Sequence, residues 1–223
     1  MGDFAIARTN MVESQIRPNG VTDRRIIDAM ASLPREKFVP DNLRTLAYMD
    51  DDIPLAASAG GRPGRFLMAP MPLGRLIQLA GVQPGDLVLD VGCATGYSTA
   101  ILARLAESVV GLECDAQLAE SAGATLVELG VDNTAIVAGP LEAGYASEGP
   151  FDVILLGGSV PEVPGALLAQ LKEGGRLVAV VASGANGRAL VYTRIRSDLS
   201  HRAAFEAGAC PLPGFERPAA FVF

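Results

Sequence analysis

A mostly parallel α/β sheet with helices on both faces is the fold this sequence predicts, and three observations predict it. From residue 87 onward, short Val/Ile/Leu runs alternate with amphipathic stretches. Those runs are nearly continuous rather than alternating, as strands buried on both faces require. The first run, LVLDV, opens directly into a turn of small residues, Gly92-Cys93-Ala94-Thr95-Gly96. A strand, a glycine turn and a helix in that order form the ligand-binding end of many parallel sheets.

The elements follow in chain order. Before Gln83-Pro84-Gly85, helical patterns are broken by Pro and Gly: FAIARTNMVESQI, TDRRIIDAMASL with Thr22 as its expected N-cap, and DNLRTLAYM. Residues 50–66 carry no helical or strand period and read as a loop, and PLGRLIQLAGV reads as a helix leading to the boundary turn. The expected organisation is one compact domain with a helical extension and substrate-side loop over 1–83 and a core over 84–223. Within the core, LVLDV, SVVGLE (108–113), TAIVA, FDVILLGG (151–158) and GGRLVAVVA (174–182) are strands. YSTAILARLA, AQLAESAGATLVELG and PGALLAQL are the helices between them. The closing stretches ALVYTRIRS, RAAFEAGAC and PAAFVF predict antiparallel strands along one edge.

Composition narrows the function classes. The chain has 223 residues, 49% hydrophobic, 5% aromatic and without Trp, which is a globular profile. A net charge of -7 argues against a basic nucleic-acid footprint. Three cysteines, with no CxxC pair, suggest neither a disulfide framework nor a zinc site, and no metal is expected. The first residues lack the apolar region of a signal peptide, and no stretch reaches the ~20 apolar residues of a membrane helix. A cytoplasmic protein is expected, with no membrane or nucleic-acid partner and its oligomeric state left open.

The glycine turn can be tested against known ligands. A phosphate loop ends in Gly-Lys-Ser/Thr, whereas Gly96-Tyr97-Ser98 lacks the lysine. A dinucleotide fingerprint needs glycines at 94 and 97, where Ala94 and Tyr97 stand, which disfavours NAD. Glu113 closes the next strand ~20 residues on, where an acid can accept both hydroxyl protons of a ribose. An acid there beside an imperfect phosphate turn fits a nucleoside without pyrophosphate. S-adenosylmethionine answers that description, its carboxylate suiting the helix N-terminus and its ammonium suiting Asp90. Gly92 and Gly96 also fit a plain tight turn.

Over most of its length the chain resembles the protein-L-isoaspartate O-methyltransferases. The matching stretches are AMASLPREKFVP, DDIPLA, VLDVGCATGYSTAILARLA, VVGLE, PFDVILLGGSVPEVPGALLAQLKEGGRLV and the helix over 70–82. The resemblance implies a Rossmann-like class I methyltransferase fold with a seven-stranded sheet and S-adenosylmethionine as cofactor. It places Asp90, Gly92, Cys93, Ala94, Gly96 and Tyr97 at the methionine and ribose, and Glu113 and Cys114 at the ribose acid. Pro140, Leu141 and Gly157 complete the cofactor set it implies.

Two departures matter. The family's Thr-Ile-Ser segment falls on Phe66-Leu67-Met68, between Arg65 and Ala69, so both hydroxyls are gone and the family's serine position is Met68. Its Gly-Asp-Gly falls on Gly139-Pro140-Leu141, without the acid. The substrate loop Arg65, Phe66, Leu67 and Met68 reads as an apolar lid, or as ordinary core. A buried carboxylate there would forgo about 1–3 kcal/mol per lost polar partner. The expected activity is therefore methyl transfer to a protein or small-molecule acceptor with little or no isoaspartyl methylation; the alternative is a non-catalytic member of the fold. No catalytic residue is assigned, because an ionised carboxylate acceptor needs no general base. His201 reads as a solvated surface residue, Cys93 as a small buried filler, and Arg62, Arg65 and Arg75 as solvated or as receivers of an acidic substrate.

Overall fold

The computed structural model describes residues 4–58, 63–183, 186–196 and 198–216. Arg62 and the closing run PAAFVF lie outside the described residues. The helices are α1 (Phe4–Met11), α2 (Arg24–Ser32), α3 (Pro70–Ala80), α4 (Tyr97–Ala103), α5 (Ala116–Glu128) and α6 (Gly165–Leu168). The strands are β1 (Ile53–Ala56), β2 (Arg65–Leu67), β3 (Leu87–Val91), β4 (Ser108–Glu113), β5 (Thr134–Ala138), β6 (Phe151–Val160), β7 (Leu171–Ser183), β8 (Asn186–Ile195) and β9 (Asp198–Glu206).

Seven strands form one sheet in the order β5-β4-β3-β6-β7-β8-β9. The pairs from β5 through β7 are parallel, and β7-β8 and β8-β9 are antiparallel. Parallel neighbours need a crossover, supplied by α4, α5 and α6, whereas β7 to β9 meander through short turns. The chain leaves β3 first toward β4 and later returns to β3's other side as β6. The switch in winding direction therefore falls between β3 and β6, where doubly wound sheets open a crevice at the carboxyl ends of the strands.

Strand residues alternate between two cores. Val88, Val109, Val153, Leu155, Val178 and Val180 face a cluster built with α2, α3, α4 and the segment Met11–Ile16. Leu89, Val110, Ile154, Leu156, Leu177 and Ala179 face a second cluster with Leu141, Leu167, Leu212 and Phe215. Both faces are thus sealed, which explains the near-continuous apolar strands.

Several local expectations change. Helix α2 is capped by Asp23, whose carboxylate accepts from Arg25 N, rather than by Thr22. Thr22 N instead donates to the Gln78 side chain at 2.6 Å. The first helix continues from α1 as a π-helical turn over Val12–Ile16, and Asp41–Leu46 is a 3-10 helix rather than a full helix. Residues 50–66 are not all loop: β1 and β2 pair antiparallel, with Ile53 opposite Leu67 and a register shift between Pro54 and Ala56. That irregularity, and strands of only three and four residues, left no period to read. The final strand begins at Asp198 instead of Arg202.

Candidate active site

The turn after β3 is shaped by its own backbone. Gly92 N and Cys93 N both donate to Leu112 O at the end of β4, at 2.8 and 3.2 Å, and Gly96 N closes the loop onto Cys93 O at 2.8 Å. Gly92 (φ 79), Ala94 (φ 52) and Gly96 (φ 91) all lie in the left-handed region. At Gly92 a side chain would also collide, since a Cβ there would stand 2.8 Å from Leu212 Cδ2. Gly157 allows β6 to approach the turn, because a Cβ on it would lie 2.6 Å from Gly92 O. Ala94 is the non-glycine exception, and its N–H donates to Glu113 Oε2 at 2.7 Å, which offsets the strain of its backbone.

Glu113 organises the crevice. Its Oε1 accepts from Cys114 N at 2.9 Å, Asp115 N at 3.1 Å and the Cys114 thiol at 3.3 Å. Arg65, from β2, completes the shell: Nε reaches Oε1 at 2.9 Å and Nη2 reaches Oε2 at 2.8 Å. The same Nη2 donates to Gly92 O at 2.9 Å. Both side chains are buried, 6% exposed for Arg65 and 0% for Glu113. Burial pushes the Glu113 carboxyl up, but the Arg65 guanidinium and the backbone N–H groups hold it below the usual carboxylate range. Burial likewise lowers Arg65, and Glu113 more than compensates.

Asp90, at the penultimate position of β3, is fully buried. Its Oδ2 accepts the Ser98 and Thr99 hydroxyls at 2.6 and 2.7 Å. Its Oδ1 has no hydrogen-bond partner among the described residues. Desolvation outweighs those two hydroxyls and raises the carboxyl to about 6.

The other expected site residues divide. Cys93 is buried, its thiol pushed up by desolvation, which fits a filler rather than a nucleophile. Leu141 packs 3.6 Å from the Gly92 Cβ position, while Pro140 is exposed ahead of a short 3-10 turn. The Tyr97 side chain is drawn into the first core, edge-on to Phe38 at 5.3 Å and beneath Arg35 at 4.7 Å. His201 is exposed on β9 beside the Tyr192 ring. Arg75 lies over the Phe205 ring at 3.8 Å, far along α3 from the glycine turn.

The substrate loop is mostly core. Leu67 and Met68 are buried in the first cluster, and Phe66 is half-buried. Arg65 is not a free cation awaiting a substrate, because Glu113 already holds it. Sequence reasoning missed three residues that fix this region. Arg35 is fully buried and donates to Met68 O at 2.7 Å and to Ala47 O at 2.6 Å. Asp52 Oδ1 accepts from Ala69 N at 2.7 Å. Leu212 lies over Gly92 and Gly158, held by Leu212 N to Ser159 O at 2.9 Å and Ser159 N to Cys210 O at 2.9 Å. Arg35 stands among Glu36 and Lys37 in PREKFVP, so nothing local set it apart as the buried charge, and nothing local marked Leu212.

Sheet order, crevice and acid together define a class: Rossmann-like, S-adenosylmethionine-dependent methyltransferases. The family model "Protein-L-isoaspartate(D-aspartate) O-methyltransferase (PCMT)" matches residues 7–207. Relatives named protein-L-isoaspartate O-methyltransferase include that of Koribacter versatilis, 39% identical over 180 residues, covering 81% of this chain and 78% of the relative. The one from Methylorubrum extorquens is 39% identical over 192 residues, covering 86% and 81%. A solved protein-L-isoaspartate O-methyltransferase superposes with a TM-score of 0.77 at 25% identity, over 92% of this chain and 65% of that longer one. A Plasmodium falciparum structure, solved with S-adenosyl-L-homocysteine, gives 0.75 at 22% identity over 93% and 98%, a likeness of fold. This chain belongs to the protein-L-isoaspartate O-methyltransferase family.

The residues fit the family's cofactor in kind: a left-handed glycine turn, a buried acid ending β4, and an orphaned Asp90 oxygen. The space does not. The cavity between the substrate loop and the turn, lined by Phe66, Met68, Gly92, Ala94 and Gly157, measures about 10 Å³. Among the described residues, no helix is long and apolar enough to cross a membrane.

Proposed function

We propose that this chain transfers a methyl group from S-adenosylmethionine to a cytoplasmic protein or small-molecule acceptor other than the isoaspartyl carboxylate. The reading rests on the substrate loop, where Phe66, Leu67 and Met68 offer no hydroxyl and Leu67 and Met68 are committed to the core. When bound, the cofactor supplies a methyl carbon activated by its sulfonium. The protein's part is to bind, orient and exclude water. In this reading the turn from Gly92 to Gly96 and Glu113 hold the nucleoside and Asp90 receives the ammonium. Gly157 and Leu141 wall the crevice, and no side chain is required as a base for a carboxylate acceptor. The -7 net charge supports an acceptor that is not nucleic acid.

Calorimetry should detect S-adenosylhomocysteine and no NAD. With labelled cofactor, an isoaspartyl peptide should gain little or no methyl. Converting Phe66→Thr with Met68→Ser should not fully restore that activity, since Arg65 and Ala69 differ too and position 68 is packed in the core. Robust isoaspartyl turnover by the unaltered protein overturns the reading. The second reading, a non-catalytic member, draws on the saturated Glu113; binding without label reaching any acceptor in a cytosolic extract would favour it.

The Asp90 carboxyl adds a pH signature. With its value near 6, the acid is ionised at pH 7.5 and mostly protonated at pH 5. Ionised Asp90 attracts the ligand's ammonium and protonated Asp90 does not, so affinity must fall as pH falls. S-adenosylhomocysteine should bind about tenfold more weakly at pH 5 than at pH 7.5. Asp90→Asn should flatten that profile; an equally steep profile in the variant assigns the titration to another group.

A further inference from the structure

We propose that Arg65 is a built-in competitor for the nucleoside site, so that cofactor binding and the position of the β1-β2 hairpin are coupled. The proposal rests on the cofactor reading above. An ionised carboxylate has about four lone-pair sites. Three backbone N–H groups, from Ala94, Cys114 and Asp115, and two Arg65 nitrogens already converge on Glu113. Nothing remains for a ribose diol. Arg65 also takes Gly92 O at 2.9 Å, so one guanidinium covers both the acid and the turn.

Arg65 is the removable part of this shell. The backbone donors belong to the turn and to the start of α5, whereas Arg65 begins a three-residue strand that, among the described residues, pairs with β1 alone. A nucleoside can engage Glu113 only if that guanidinium withdraws, and β2 must then shift with it. Phe66, Leu67 and Met68 follow Arg65 directly, so the shift reaches the acceptor side. Coupling between two sites is reciprocal. An acceptor that draws the hairpin outward therefore strengthens cofactor binding, and the cofactor opens the acceptor loop.

Arg65→Gln leaves Glu113 with its three backbone donors, so the acid stays satisfied without the arginine. The experiment is calorimetric titration of the full chain and of Arg65→Gln with S-adenosylhomocysteine, with thermal melting to check folding. The variant should bind at least tenfold more tightly. Equal or weaker binding by a folded Arg65→Gln overturns the competitor and leaves the cofactor reading standing. Absence of binding by both overturns the cofactor reading and the competitor with it. Should the variant not fold, hydrogen exchange on the unaltered protein decides. Saturating S-adenosylhomocysteine should accelerate exchange at the Arg65, Phe66 and Leu67 amides at least several-fold, against the slowing that a ligand ordinarily brings. Unchanged or slower exchange there overturns the proposal.

Discussion

Glu113→Ala will lower stability by about 3–5 kcal/mol, the usual consequence of stranding a buried charge. Three losses combine. Arg65, 6% exposed, keeps its charge without its carboxylate. The N–H groups of Ala94, Cys114 and Asp115 lose their acceptor. Ala94 keeps its left-handed backbone without the hydrogen bond that offset it. The same ion pair loses much less when cut from the other side, because Glu113 without Arg65 still has backbone donors. Urea unfolding of Glu113→Ala, Arg65→Gln and the double variant measures this asymmetry. The double variant should recover part of the loss, since it removes the stranded charge.

The acid dependence has a definite sign. Glu113 titrates below its unfolded value, so its contribution is present above the ordinary carboxylate range and is lost as pH falls through the folded value. The gap between the parent and Glu113→Ala should therefore narrow below about pH 4. A loss under about 1 kcal/mol at neutral pH would mean that the pair is open in solution.

The second large effect belongs to Arg35. Its guanidinium, fully buried, spans the 3-10 region at Ala47 and the substrate loop at Met68, and lies over Tyr97. Burial lowers its pKa, the sign of a charge kept at a cost. Two terms compete in Arg35→Ala. Removing the charge relieves desolvation, while two carbonyls lose their donor at about 1–3 kcal/mol each and a cavity opens beneath Tyr97. The carbonyls and the cavity win, for a net loss of about 3 kcal/mol. Arg35→Met fills most of the volume and should cost about half as much. If Arg35→Met equals or exceeds the parent in urea, burying the charge outweighs the contacts it makes. Because Met68 O is one of the partners, Arg35→Ala should also make the substrate loop more accessible to proteolysis.

The parallel half of the sheet was legible because its signal is local: apolar runs, a glycine turn and amphipathic helices each declare themselves within about ten residues. Gly92, Gly96 and Glu113 were singled out by spacing, and the structure brings Glu113 against the turn those glycines bound. What the sequence left hidden is the pairing of those residues with distant ones. Arg65 and Glu113 stand 48 residues apart, and Arg35 reaches a carbonyl 33 residues on. Charge partners of that kind leave no periodic trace. The β1-β2 hairpin escaped for another reason, since strands of four and three residues with a register shift carry too little alternation to detect. The apolar Phe66-Leu67-Met68 triplet had two readings, and burial of Leu67 and Met68 favours core over lid.

Strand β9 raises a matter of solubility. Among the described residues it is the last strand of the sheet, with one row of peptide groups unpaired, and nearly all of its nine residues are exposed. Such a row is a template on which another chain can add a strand. Here the template is spoiled: Asp198, His201, Arg202 and Glu206 place polar and charged groups along it, and the register skips a residue between its pairings to Ala189 and Leu190. A kinked, charged border of this kind is a poor template for a flat neighbour.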